Sequence, residues 1–198
     1  MQPVLVKPKV SPQKAGQIAR TLDLPMDEIS ALIKHHEGFK PKPYRDIYRK
    51  WTIGYGTLIG DGSDAALESS QFKGRTLSQK EAFDIAMGDI RKKADLAASD
   101  SQLGPVFAEL SPKLKAHVVS GYYRGDLSGS PKAKQLIRQR KFAEAADEFL
   151  DSDEYRAAKK AGTGVAPRME QTAAALREEA ESKGSPDFLS AVEKRLSR

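Results

Sequence analysis

The chain has no cysteine, three histidines, one tryptophan and no long apolar run. Each absence removes a class of function. Without thiols there is no disulfide framework, no thiolate nucleophile and no cysteine-held metal site. No window approaches the roughly 18 consecutive apolar residues of a membrane-spanning helix. The first ten residues place Lys7, Lys9, Pro3 and Pro8 where a secretory signal would carry its apolar stretch. Synthesis in a cytoplasm is therefore expected, and the place of action stays open.

What is present suffices for an ordinary core. The 198 residues are 39% apolar and 30% charged, which suits one domain, or one domain in two lobes around a cleft. A formal net charge of +6 favours anionic polymers as partners: nucleic acid, anionic lipid or a bacterial wall. The sign of the charge does not choose among them. The basic residues are spread along the chain rather than gathered on an aromatic-rich surface, so a nucleic-acid partner is not expected.

Residues 1–24 contain three prolines and a short helical pattern over 11–22, and read as an arm or appendage. A main domain is expected over 25–198, with a sheet-bearing lobe near 37–75 and a helical lobe near 76–198. Met26, Ile29, Leu32 and Ile33 recur at helical spacing, and Gly38 marks the stop. Trp51, Ile53 and Tyr55 then alternate among glycines, which predicts short strands in a small antiparallel sheet. Downstream, Ser78 with Glu81 forms a capping-box signature ahead of the stripe Phe83, Ala86, Ile90, Ala94 and Ala97. Ser-Pro pairs at 111–112, 130–131 and 185–186 predict three further helix starts. Helix, small sheet, then many helices is the order of an α+β fold with a helical majority.

Two carboxylates stand near the first helix. Glu37 closes it, where the partial negative charge of the helix end favours the protonated acid. Asp46 follows at the start of the sheet, and Thr52 lies in the next strand, where its hydroxyl can hold a water against Asp46. A protonated acid facing a carboxylate is the arrangement that glycoside hydrolysis uses. His35-His36 suggests a metal less well, because adjacent helical residues point to different faces. No metal site is expected.

The run from Glu37-Gly38 through Tyr44-Arg45-Asp46 to Thr52-Ile53-Gly54-Tyr55-Gly56 resembles the active-site segment of the phage-type lysozymes. That family spaces Glu, eight residues, Asp, five residues, Thr, then Ile-Gly-x-Gly, and every element matches. A weaker likeness runs downstream through 135–146 and Ser152-Asp153-Glu154-Tyr155, so that the resemblance covers roughly 25–176. It implies a two-lobed fold with an active-site cleft and a cofactor-free N-acetylmuramidase acting on peptidoglycan glycan strands. Glu37, Asp46 and Thr52 are then the catalytic residues, with an inverting outcome. It also implies Arg168 as the arginine that pairs with the glutamate, and Leu58 and Tyr122 as substrate contacts. Thr57 stands where the family often has histidine, so a His–Asp pair between lobes is not available. Ala133 and Glu148 replace two polar contacts of the helical lobe. The expected form is a monomer without a membrane span, made in a host cytoplasm and working at the wall. Residues 1–24 are a candidate for wall binding or virion docking.

Overall fold

The computed structural model describes residues 24–46 and 48–183. The arm, its helical pattern and the Ser185-Pro186 start lie outside these residues. The first helix, α1 (Met26–Glu37), turns Ile29 and Ile33 into the core. An antiparallel sheet follows, with β1 (Lys40–Arg45), β2 (Trp51–Gly54) and β3 (Thr57–Leu58) in chain order. β1 holds Pro41 and Pro43, which donate no ladder hydrogen bonds, and it accordingly lies at the sheet edge. Its pairing with β2 sets Tyr44 opposite Thr52 and Arg45 opposite Trp51. In turn Thr52 faces Leu58 across the β2–β3 pair. The short helix α2 (Asp64–Glu68) closes this part of the molecule. Its Asp64 accepts from Arg45 Nη2 at 2.6 Å and from Trp51 Nε1 at 3.3 Å, and the Arg45 guanidinium lies over the Trp51 ring.

Helices make up the rest: α3 (Gln79–Ser99), α4 (Gly104–Phe107), α5 (Pro112–Arg124), α6 (Pro131–Arg138), α7 (Phe142–Leu150), α8 (Asp153–Ala161) and α9 (Val165–Ser182). Thus nine helices and a three-stranded sheet stand among the described residues, the expected α+β fold. The capping box forms: Ser78 Oγ accepts from Glu81 N while Glu81 Oε2 accepts from Ser78 N at 2.9 Å. Ser111 caps α5 through Leu114 N, as its Ser-Pro pair predicts. Ser130 does not cap α6, because its hydroxyl donates to the Asp126 carbonyl instead. Along α3 the buried stripe includes Ala82 and Met87, whereas Phe83 stays half-buried and meets the Tyr55 ring edge-on. Gly54, at φ +69°, is where the sheet touches this helix. A side chain there would meet Ala82 Cβ at 2.9 Å.

The central helix is α5, packed by α1, α3 and α9. Its length from Leu114 to Tyr122 is buried almost all round, as a helix enclosed by others must be. His117 lies within it, 3.5 Å from Thr172 Oγ1 on α9. Burial first, then Arg124, Lys113 and His36, push its imidazole down to about 4 from the ordinary 6.5. A histidine buried neutral stabilises the fold above its unfolded value, and the contribution is lost as pH falls from 6.5 toward 4. Urea unfolding should therefore show a loss of about 2–3 kcal/mol over that window. His117→Gln should flatten it, and an unchanged slope in that variant would assign the acid sensitivity elsewhere.

Candidate active site

A groove of about 540 Å³ opens between the sheet and the ends of α1, α5, α8 and α9. That size lies within the usual range of small-molecule clefts. Glu37, Asp46, Thr52, Leu58 and Arg168 all line it. Five of the six residues singled out from sequence are thereby brought together.

Glu37 is the last residue of α1, and Gly38 (φ +61°) turns the chain away into β1. The Glu37 side chain is only 16% exposed, and Oε1 accepts from Arg168 Nη1 at 3.1 Å. Gly162 caps α8, and a short turn through Gly164 leads into α9, which leaves Arg168 in its first turn within reach of Glu37. Burial raises the Glu37 carboxyl above its ordinary value of 4.5. Arg168 and then Arg124 oppose that rise, while Asp126 adds to it. The direction is the one read from the helix end, but burial is its leading cause.

Asp46 begins the turn between β1 and β2. One of its oxygens, Oδ1, accepts from Tyr48 N at 2.9 Å and Lys50 N at 2.8 Å, so the turn itself fixes the carboxylate. Thr52 is buried, and its hydroxyl donates to the Lys50 carbonyl at 3.3 Å. Tyr44 also lines the groove. Burial and then the charges of Glu37 and Asp46 raise its hydroxyl above the ordinary 10.0.

Gly56 explains the second glycine of the motif. Its φ is +92°, and a side chain there would meet Glu37 Oε2 at 3.3 Å and the Tyr123 hydroxyl at 3.5 Å. The glycine is what lets the hairpin approach the Glu37 carboxyl.

Tyr122 is not brought to the groove. Its ring is buried and its hydroxyl donates to Asp100 Oδ2 at 2.7 Å. The next residue, Tyr123, lines the groove instead, with its hydroxyl donating to the Tyr55 carbonyl at 2.8 Å. Adjacent residues on a helix point about 100° apart, so a register slip of one moves the aromatic off the site. Ala133 is buried and Glu148 pairs with Lys132 at 3.6 Å, and neither lines the groove. Leu58 is 52% exposed on the sheet side of the groove.

Sequence reasoning passes over Arg124, Asp126 and Glu154, which line the helical side. They sit far from the motif in sequence, and only the packing of α5 and α8 collects them. His35 and His36 do not diverge as their positions suggest. Their rings meet edge-on at 4.9 Å, with His36 under the charges of Arg124 and Arg168. Among the described residues no third metal-capable side chain joins them.

The family model described as Phage lysozyme matches residues 34–171, well over half of the chain, and spans every groove residue named above. No curated protein matches the chain at a significant level.

Proposed function

We propose, from the premise that this chain belongs to the phage lysozyme family of peptidoglycan-degrading glycoside hydrolases, that it cuts the β-1,4 bond between N-acetylmuramic acid and N-acetylglucosamine. Glu37 is the general acid that protonates the leaving oxygen. Asp46, with Thr52, holds the water that attacks the opposite face of the sugar, and Arg168 orients Glu37. The observation that carries this reading is one groove lined by a buried glutamic acid at a helix end, by Asp46 held in the β1–β2 turn, and by Thr52.

The chemistry follows from where each group sits. A carboxyl raised by burial keeps its proton nearer to neutral pH, where it can be given to a departing sugar oxygen. Arg168 directs one oxygen, leaving the other toward Gly56 and the open groove. Water held between Asp46 and Thr52 arrives on the face away from the acid, which inverts the anomeric centre. No cofactor enters the scheme. Leu58, exposed beside Thr52, supplies an apolar surface for a sugar face.

The setting proposed is wall degradation during phage infection or host lysis by a monomer, with residues 1–24 as an arm for wall or virion attachment. Among the described residues no helix is long and apolar enough to cross a membrane.

The bond is tested by digesting purified peptidoglycan, reducing the new ends with borohydride and hydrolysing the sugars. The reading expects the alcohol of muramic acid. The alcohol of glucosamine would overturn the bond assignment, and retention of anomeric configuration by NMR would overturn the water-holding role.

A further inference from the structure

We infer that Arg124 and Asp126, an almost dry ion pair on the helical wall of the groove, are positioning residues that act on the acid Glu37 through their field. The inference rests on Glu37 being the acid, as proposed above. Arg124 is the last residue of α5 and Glu37 the last of α1, two helices packed on each other, and both side chains border the same groove.

The pair is built rather than incidental. The Arg124 and Asp126 side chains are 9% and 4% exposed, with Nε donating to Oδ2 at 2.8 Å. Arg124 Nη1 also donates to Ser120 Oγ at 2.6 Å, and Asp126 Oδ1 accepts from Leu127 N at 2.6 Å. Gly125, in a left-handed conformation, turns the chain between the two, and Ser130 Oγ ties down the Asp126 carbonyl at 2.8 Å. Among the described residues, Arg124 Nη2 is buried with no partner. A buried ion pair seldom stabilises a fold more than apolar residues of similar size would, and an unpartnered N–H adds a further penalty. Such a pair beside a catalytic groove makes sense as a source of field.

The charges around Glu37 can be apportioned element by element. From α9 Arg168 touches it, and from α5 Arg124 favours its ionised form, while Asp126 beyond α5 favours its protonated form. Tyr44 on β1 and Tyr123 on α5 face it as neutral hydroxyls, both held above the ordinary tyrosine range. Asp46 lines the same groove. His36, next in the chain, is lowered by burial and by both arginines. Glu154 on α8 lines the groove as well, and its carboxyl is raised by burial and by Asp126. Asp126 and Arg124 thus pull on Glu37 with opposite signs.

The test is the pH dependence of kcat/KM on purified peptidoglycan, whose alkaline limb reports loss of the acid's proton. Asp126→Asn leaves Arg124 unopposed, and its alkaline limb should fall by about half to one pH unit. Adding Arg124→Gln should return the limb toward the wild-type position. Simple loosening of the turn would make the double variant worse rather than restored. A limb that stays put in Asp126→Asn, or falls further in the double variant, overturns the inference. Should Asp126→Asn not fold by circular dichroism, Arg124→Lys and Arg124→Gln put the same question. The lysine keeps the charge and the wild-type limb, the glutamine limb rises, and equal limbs overturn the inference. A wild-type profile without an alkaline limb would instead remove the assignment of Glu37 itself.

Discussion

Glu37→Gln should lose about three orders of magnitude in glycan hydrolysis, the typical worth of a positioned general acid, and should melt no lower than the wild type. Glutamine keeps the shape and the oxygen that accepts from Arg168 Nη1, so the groove wall stays in place. What disappears is the proton. The stability half of the prediction follows from the sign of the shift. Glu37 is raised in the folded protein, chiefly by burial, so its contribution to stability is present below the unfolded value of 4.5 and declines as pH rises through the folded value. At neutral pH the wild type therefore carries a penalty that the glutamine variant lacks. Thermal melts of the two proteins should coincide near pH 4 and separate above it, with the variant equal or higher. A variant that is both inactive and markedly destabilised at pH 7 would make Glu37 a structural residue.

Asp46→Asn should lose between two and three orders of magnitude, within the range for a general base, again with a normal melt. The asparagine oxygen can still accept from Tyr48 N and Lys50 N, the two bonds that shape the turn. In the proposed mechanism, loss of the negative charge removes the proton acceptor for the attacking water. Alanine at the same position would also remove those bonds, so it would confuse the loss of chemistry with the loss of the turn. The asparagine variant separates the two. Near-wild-type turnover in a well-folded Asp46→Asn protein would leave Thr52 and solvent to position the water.

Much of this candidate site is legible in sequence because Glu37, Asp46 and Thr52 fall within sixteen residues that form one helix end and one hairpin. Local structure then does most of the placing. The positive φ at Gly38 turns the chain after the acid, and the strand register sets Thr52 beside Tyr44. Arg168 also falls on the groove, since only a short turn separates α8 from α9 and the first turn of α9 carries it. Tyr122 shows where such reasoning stops. One residue of helical register separates a buried ring tied to Asp100 from the Tyr123 ring on the groove, and periodicity in a helix buried almost all round does not distinguish them. Ser130 fails for another reason: a serine before proline can cap the helix or bond backward, and the Asp126 carbonyl offers the backward bond. The Arg124–Asp126 pair carries no local signature, because its meaning comes from the packing of α5 against α1.

The proposed mechanism requires Glu37 and Asp46 to work as one device in the groove. The most direct measurement is the rate of reducing-end release from purified peptidoglycan by Glu37→Gln, Asp46→Asn and the double variant. Groups that act as a unit do not lose additively. The double variant should be no slower than the slower single variant, within experimental error. Losses that multiply, or a single variant that still hydrolyses the glycan at close to the wild-type rate, would contradict the shared mechanism.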